Sequence, residues 1–221
     1  MSGEPSDLRA VDATGDDLAE IAALHIEAFP ESVLGRLGLE AVRRNYVWQF
    51  EGPHDVTALV VHADDSVAGY LFGGVFRGST IGFVKSQKWF LAGQVMRRPR
   101  VVLGELGRDR LGLALRLLVR RRPPVPTAER PEAVPRRSFG VLAIAVDPRM
   151  QGHGVGRTLM AAAEQRARRQ GFEAMHLSVH PGNERAVRFY ESLGFARAVD
   201  ADGAWEGQMR RDLPPVDASA E

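Results

Sequence analysis

The sequence contains no cysteine. That excludes disulfides, thiolate metal sites and cysteine nucleophiles, and it fits a reducing compartment, so a cytoplasmic location is expected. No stretch approaches the roughly 18 consecutive apolar residues that cross a bilayer. The most apolar region, Val101 to Val119, is broken by Glu105, Arg108, Asp109, Arg110 and Arg116. The N-terminus, MSGEPSDLRA, lacks the apolar centre of a signal peptide. His176 and His180 have no metal-ligand spacing, so no metal is expected.

What is present is an ordinary globular composition, 44% hydrophobic over 221 residues, enough to bury a sizeable core. The net charge of +1 conceals a separation. Residues 77–137 hold fifteen Lys/Arg against four Asp/Glu, so the rest of the chain is acidic. We read 1–221 as one domain carrying a basic helical and proline-rich insertion over 77–137. Trp89 to Met96 and Val101 to Val119 have helical spacing. Arg121 to Arg137, with five prolines in seventeen residues, reads as a semi-extended linker. The simplest role for the arginines is a solvated face. The sharper alternative is a lid, or a surface for an acidic partner, a membrane face or an anionic substrate. No nucleic-acid motif is present, and no nucleic-acid partner is expected.

The remaining elements follow from periodicity. Leu8 to Val11 reads as a first strand. Leu18, Ile21, Ala22, His25 and Ala28 keep helical spacing up to Pro30, and Leu37 to Phe50 forms a second helix. Thr57 to His62 and Val67 to Val75 are strands joined by the turn Asp64-Asp65-Ser66, and the glycines of the second suggest close packing or a bulge. Ser138 to Val146 is near-continuously apolar and reads as a strand buried on both faces. A helix over 154–170, a strand Ala174 to Val179, a helix Asn183 to Leu193 and a last strand pair, Phe195 to Val199 with Trp205 to Arg211, complete the chain. The class is α/β (α+β): a mixed sheet of about seven strands flanked by helices, with the insertion between the third and fourth strands.

The chemistry concentrates in Val141 to Thr158, VLAIAVDPRMQGHGVGRT. A glycine-rich turn between a buried strand and a helix leaves backbone N–H groups without intrahelical acceptors, at the positive end of the helix dipole. Two nucleotide fingerprints fail here. The dinucleotide pattern needs glycine where Leu159 stands, and the P-loop needs a lysine that is missing.

The motifs around the turn decide further. A strand ending Val146-Asp147-Pro148, then Gln151, Gly154 and Gly156, then Asn183, Ala186, Phe189, Tyr190, Gly194 and Phe195, resembles the GNAT superfamily of N-acetyltransferases. The resemblance is strong over 138–196, topological over 8–75 and silent over 77–137. It implies an acetyl-CoA-dependent transfer of an acetyl group directly to a primary amine, without a covalent enzyme intermediate. It also implies that the loop of Gln151, Gly152, His153, Gly154, Val155 and Gly156 holds the pyrophosphate through its amides, that a phosphate there would compensate Arg157 at the positive helix end, that Thr158 donates to a phosphate or only bonds back to the helix, that Ile144, Ala145 and Val146 pair with the pantetheine arm, and that Asn183 touches the cofactor. Tyr190 would donate the proton to the departing thiolate. By spacing alone, Arg157 is equally a surface residue, Asn183 a helix N-cap and Tyr190 a packed aromatic at the edge of a stripe formed by Ala186, Phe189 and Leu193.

The acceptor is expected to be a small-molecule amine, such as an amino sugar or an amino-acid derivative. Transfer to a protein N-terminus or lysine is the second reading, and a non-catalytic acyl-CoA-binding module the third. His25, Glu27, Glu105, Ser178 and His180 are the candidates for the base, and none stands out. A homodimer is left open.

Overall fold

The computed structural model describes residues 8–53, 55–75, 79–98, 137–200 and 203–214. The expected helix over Val101 to Val119 lies outside the described residues, as does all of the expected linker except Arg137. The chain divides into two compact units: residues 1–13, 53–77 and 129–221, and residues 14–52 and 78–128.

The first unit contains the sheet. Its strands are β1 (Ala10–Asp12), β2 (Asp55–Ala63), β3 (Ser66–Val75), β4 (Ser138–Val146), β5 (Ala174–Ser178), β6 (Ala196–Arg197) and β7 (Gln208–Asp212). They form one sheet in the order β1-β2-β3-β4-β5-β7-β6. Only β4 and β5 run parallel; every other pair is antiparallel. The turn between β2 and β3 places Asp64 and Asp65 at φ +49° and +61°. Positive φ at both central residues matches the twist of a two-residue hairpin, and aspartate tolerates it better than most side chains.

Two helices of this unit carry the site: α6 (Val155–Arg169) and α7 (Glu184–Ser192). Helix α6 packs Val155, Leu159, Met160, Ala163 and Ala167 against β1 to β4, the spacing of one helical face. The helix comes close because β3 has glycine beneath it: a Cβ at Gly69 would lie 2.7 Å from Val155 Cγ1. That confirms the close packing expected from the β3 glycines. Leu59, Phe139, Met175, Leu177, Tyr190 and Met209 complete the core on this face.

The second unit contains α1 (Leu18–Ala28), α2 (Val33–Arg36), α3 (Leu39–Glu51), α4 (Ser79–Ser86) and α5 (Lys88–Arg97). Helix α1 packs on α3; Leu18, Ile21, Ala22 and Leu24 are buried on the first and Ala41, Val42 and Tyr46 on the second. The short α2, which periodicity does not reveal, is capped by Ser32, whose Oγ accepts from Gly35 N at 2.8 Å.

Several boundaries differ from the sequence reading. β1 lies at Ala10–Asp12 rather than Leu8 to Val11, and the last strand pair shortens to Ala196–Arg197 and Gln208–Asp212. A larger correction concerns β4, which is not buried along its whole length. Ser138 to Val141 are buried, but Leu142 is 44% exposed and Ala143, Ile144 and Val146 are half-buried. The cause is the neighbouring strand, which leaves.

Candidate active site

β4 and β5 pair only from Ser138–Ala174 to Val141–Leu177. Beyond that point β4 continues to Val146 with β3 alone. Leu142 is an extra residue in that ladder, since Phe72 pairs with Ala143 and Gly73 with Val141. The two central strands therefore form a fork. On its β4 side, residues 142–146 present a strand edge with no strand partner among the described residues. At about 3.3 Å per residue this edge is about 16 Å long. Ile144, Ala145 and Val146 lie on it.

The open end of the fork meets the glycine loop. Asp147 closes the strand: its amide donates to Ala68 O at 2.9 Å, and its buried carboxylate accepts from Arg149 N at 2.8 Å. The Arg149 guanidinium, 2.6 Å from Oδ2, and the amide bond together hold this carboxyl below the usual carboxylate range. Gly152 and Gly154 follow at φ +88° and +90°, with open space where a side chain would be. Gly154 is the N-cap residue of α6 and supplies no side-chain cap. Consequently the amides of Gly152, Gly154, Val155, Gly156 and Arg157 have no acceptor among the described residues. They form a cluster of donors at a helix N-terminus, the chemistry that suits a phosphate. The open strand edge leads away from it.

The side chains here divide. Val155 is core, so only its amide can serve a ligand. Gln151 Nε2 reaches Val146 O at 3.4 Å, bridging loop and strand end, while the exposed His153 makes no such contact. Arg157 Nη2 donates to Ser192 Oγ at 3.0 Å and thereby ties α6 to α7. Thr158 lies in a groove between α6 and β1, with Ala10, Asp12, Ala161 and Gln165.

On α7, Asn183 is the N-cap, its Oδ1 accepting from Ala186 N at 3.1 Å. The buried residues of α7 are Val187 and Tyr190, with Ala186, Phe189 and Leu193 only partly buried, so Tyr190 lies within the packed stripe rather than at its edge. Its ring meets Phe189 at 5.3 Å and Phe195 at 6.0 Å between centroids. Burial pushes its phenol up to about 12. The residue is 8% exposed, and its Oη has no hydrogen-bond partner among the described residues. A phenol held neutral, with its proton uncommitted, is available to donate.

The candidate bases are scattered. His25 belongs to the second unit, where Nδ1 lies 2.9 Å from Tyr46 Oη and Nε2 lies 3.2 Å from Ser32 Oγ. Both nitrogens are engaged, and burial lowers its pKa to about 4. Glu27 is exposed and Glu105 is outside the described residues. His180 Nδ1 accepts from Gly182 N at 3.1 Å. Ser178 ends β5 opposite Gln208. Sequence reasoning did not name His176 as a base; its pairing with Gly140 across 36 residues leaves no local signal.

Solved structures share this architecture. The chain is similar to PaiA N-acetyltransferase of Thermoplasma acidophilum, crystallised with coenzyme A, at TM-score 0.55 and 12% identity, covering 94% of this chain and all of that one. It is also similar to yncA of Salmonella typhimurium, a putative acetyltransferase with its cofactor acetyl-CoA, at TM-score 0.53 and 17% identity, covering 96% and 98%. Residues 122–195 match the acetyltransferase (GNAT) family.

That match covers about a third of the chain and takes in the glycine loop and both central strands of the fork.

Curated relatives agree over a shorter stretch. A mycothiol acetyltransferase of Nocardiopsis dassonvillei is 50% identical over 56 residues, 25% of this chain and 17% of that protein. One from Sanguibacter keddieii is 38% identical over 94 residues, covering 42% and 27%. The chain thus spans about a sixth to a quarter of the length of these two relatives. The loop, the fork, Asn183 and Tyr190 all fall within the matched residues 122–195. Among the described residues no helix is long and apolar enough to cross a membrane, and no three His, Asp or Glu side chains gather as metal ligands.

Proposed function

We propose that the protein transfers an acetyl group from acetyl-CoA directly to a primary amine of a small molecule. The observation that carries this reading is the continuity of the loop and the fork. A cluster of free amides suited to a pyrophosphate opens directly onto an unpaired strand edge suited to the amide-bearing pantetheine arm. The donor set fits coenzyme A: backbone N–H groups at a helix N-terminus for the anionic end, and peptide groups of 142–146 for the neutral arm. Bound there, acetyl-CoA would supply an activated thioester.

The chain's own residues would divide the work. Gly152, Gly154, Val155, Gly156 and Arg157 would bind the phosphates through their amides, with Gln151, His153 and Thr158 at the rim of the same turn. Ile144, Ala145 and Val146 would align the arm, and Asn183 would hold the start of α7. Tyr190 would give its proton to the departing sulfur, a role for which a buried phenol with a free Oη is suited. Relatives named for mycothiol, rather than for a protein, support a small-molecule acceptor.

The experiment is a calorimetric titration with coenzyme A, followed by a thiol-release assay with acetyl-CoA and a panel of amino sugars, amino-acid derivatives and peptides. Binding with release on a small amine supports the reading. Release on peptides alone would move the acceptor to proteins. Binding without release on any amine would make the domain an acyl-CoA-binding module.

A further inference from the structure

Met175 and Leu177 of β5 point into the core beneath α6, so strand alternation sends His176 to the opposite face. There it pairs in register with Gly140 of β4, one step before the last pair, Val141–Leu177, at the apex of the fork. Its ring fills the space that glycine leaves. A Cβ at Gly140 would come within 3.1 Å of both Cε1 and Nε2. On the other side, Nδ1 lies 2.7 Å from Ser138 Oγ, which is also 3.4 Å from Ala174 O. Nε2 has no hydrogen-bond partner among the described residues.

A serine hydroxyl has one proton. Directed to the Ala174 carbonyl, it leaves Oγ as acceptor for an Nδ1–H, and the lone pair of the imidazole then resides on Nε2. The other groups on this face suit a neutral ring. Arg210 of β7 is its register partner and is bonded to Asp212 at 2.6 Å; β4 contributes only Ser138 and Gly140. Partial burial holds the ring below the ordinary histidine pKa.

We infer that His176 is the general base that deprotonates the acceptor amine, with Ser138 as the residue that fixes its tautomer. The inference rests on the transferase reading above. An amine arriving as R–NH3+ gives one proton to Nε2, leaving R–NH2 and an imidazolium. The nitrogen forms its bond to the thioester carbonyl carbon and the C–S bond breaks. The sulfur takes a proton from Tyr190, whose phenol recovers one from the attacking nitrogen. The proton on His176 passes to solvent, and the products are an acetamide and a thiol.

The test has two readouts on the full chain. Nitrogen-15 NMR of the histidine rings in the unaltered protein is expected to show His176 neutral at pH 7 with the proton on Nδ1, a preference that Ser138→Ala abolishes. In kinetics, His176→Gln is expected to lower kcat/KM for a small amine at pH 7 by about 100-fold. It should also remove the acidic limb of the pH profile, recover as rising pH deprotonates the amine, and leave coenzyme A affinity within twofold. An Nε2–H tautomer in the unaltered protein, or a His176→Gln profile that matches the parent, overturns the inference while thiol release by the parent keeps the transferase reading. A parent that releases no thiol with any amine overturns both.

Discussion

A Cβ placed on Gly156 would lie 3.2 Å from Phe189 Cζ and 3.7 Å from Val146 Cγ2. This glycine therefore lets the first turn of α6, the end of β4 and the helix carrying Tyr190 meet. Alanine there gains helix propensity of up to about 1 kcal/mol and needs a shift of only tenths of an ångström. Valine adds two branches against the same ring. We predict that Gly156→Ala melts near the parent, whereas Gly156→Val lowers Tm and weakens coenzyme A binding at least tenfold, read by a thermal melt and by calorimetry.

Gly154 makes a different demand. At φ +90° an L side chain is strained by about 1–2 kcal/mol even though the space is open. Gly154→Ala is expected to lose that much unfolding free energy in a urea titration. It should also lose coenzyme A affinity, because the strain relaxes by turning the free amides away.

Tyr190→Phe keeps the ring contacts with Phe189 and Phe195 and removes only the hydroxyl. We predict a fall in kcat of at least tenfold with unchanged coenzyme A affinity. Because the folded phenol titrates at about 12 against an ordinary value of 10.0, the unfolded chain releases this proton first. The phenol's contribution to stability is intact below pH 10 and is lost between pH 10 and 12. The phenylalanine variant should lack that alkaline loss in a pH series of melts.

In the second unit His25 gives the reverse dependence. Its folded pKa of about 4 lies below the ordinary histidine value of 6.5, so the unfolded chain takes up the proton first as pH falls. Stability is whole above pH 6.5 and declines towards pH 4, by at most about 1.4 kcal/mol per pH unit for one group. His25→Gln should flatten the acid side of the stability curve. Tyr46→Phe, which removes the hydroxyl 2.9 Å from Nδ1, should lower stability at neutral pH.

Much of the site is legible because it is local. Gly154 ahead of α6, Asn183 ahead of α7 and the Asp64–Asp65 turn are each written in a few consecutive residues. Periodicity places α1, α3, α6 and α7 within a few residues of their observed ends. The fork is not local. Ser138 to Val146 reads as uniformly apolar, and nothing in those nine residues shows that β5 departs after Leu177. The contact of Ser138 with His176 spans 38 residues between parallel strands, and that of His25 with Tyr46 spans 21 residues between two helices. Pairings of that kind are set by tertiary packing, so sequence reading left the base unassigned.

The most direct measurement is mass analysis of an amine after incubation with the protein and acetyl-CoA carrying a carbon-13 acetyl group. The expected product is an N-acetylated small amine bearing the label, in equal amount with free coenzyme A, with at least tenfold less of both from Tyr190→Phe. Free coenzyme A without labelled amine, or equal product from the Tyr190→Phe variant, would contradict that expectation.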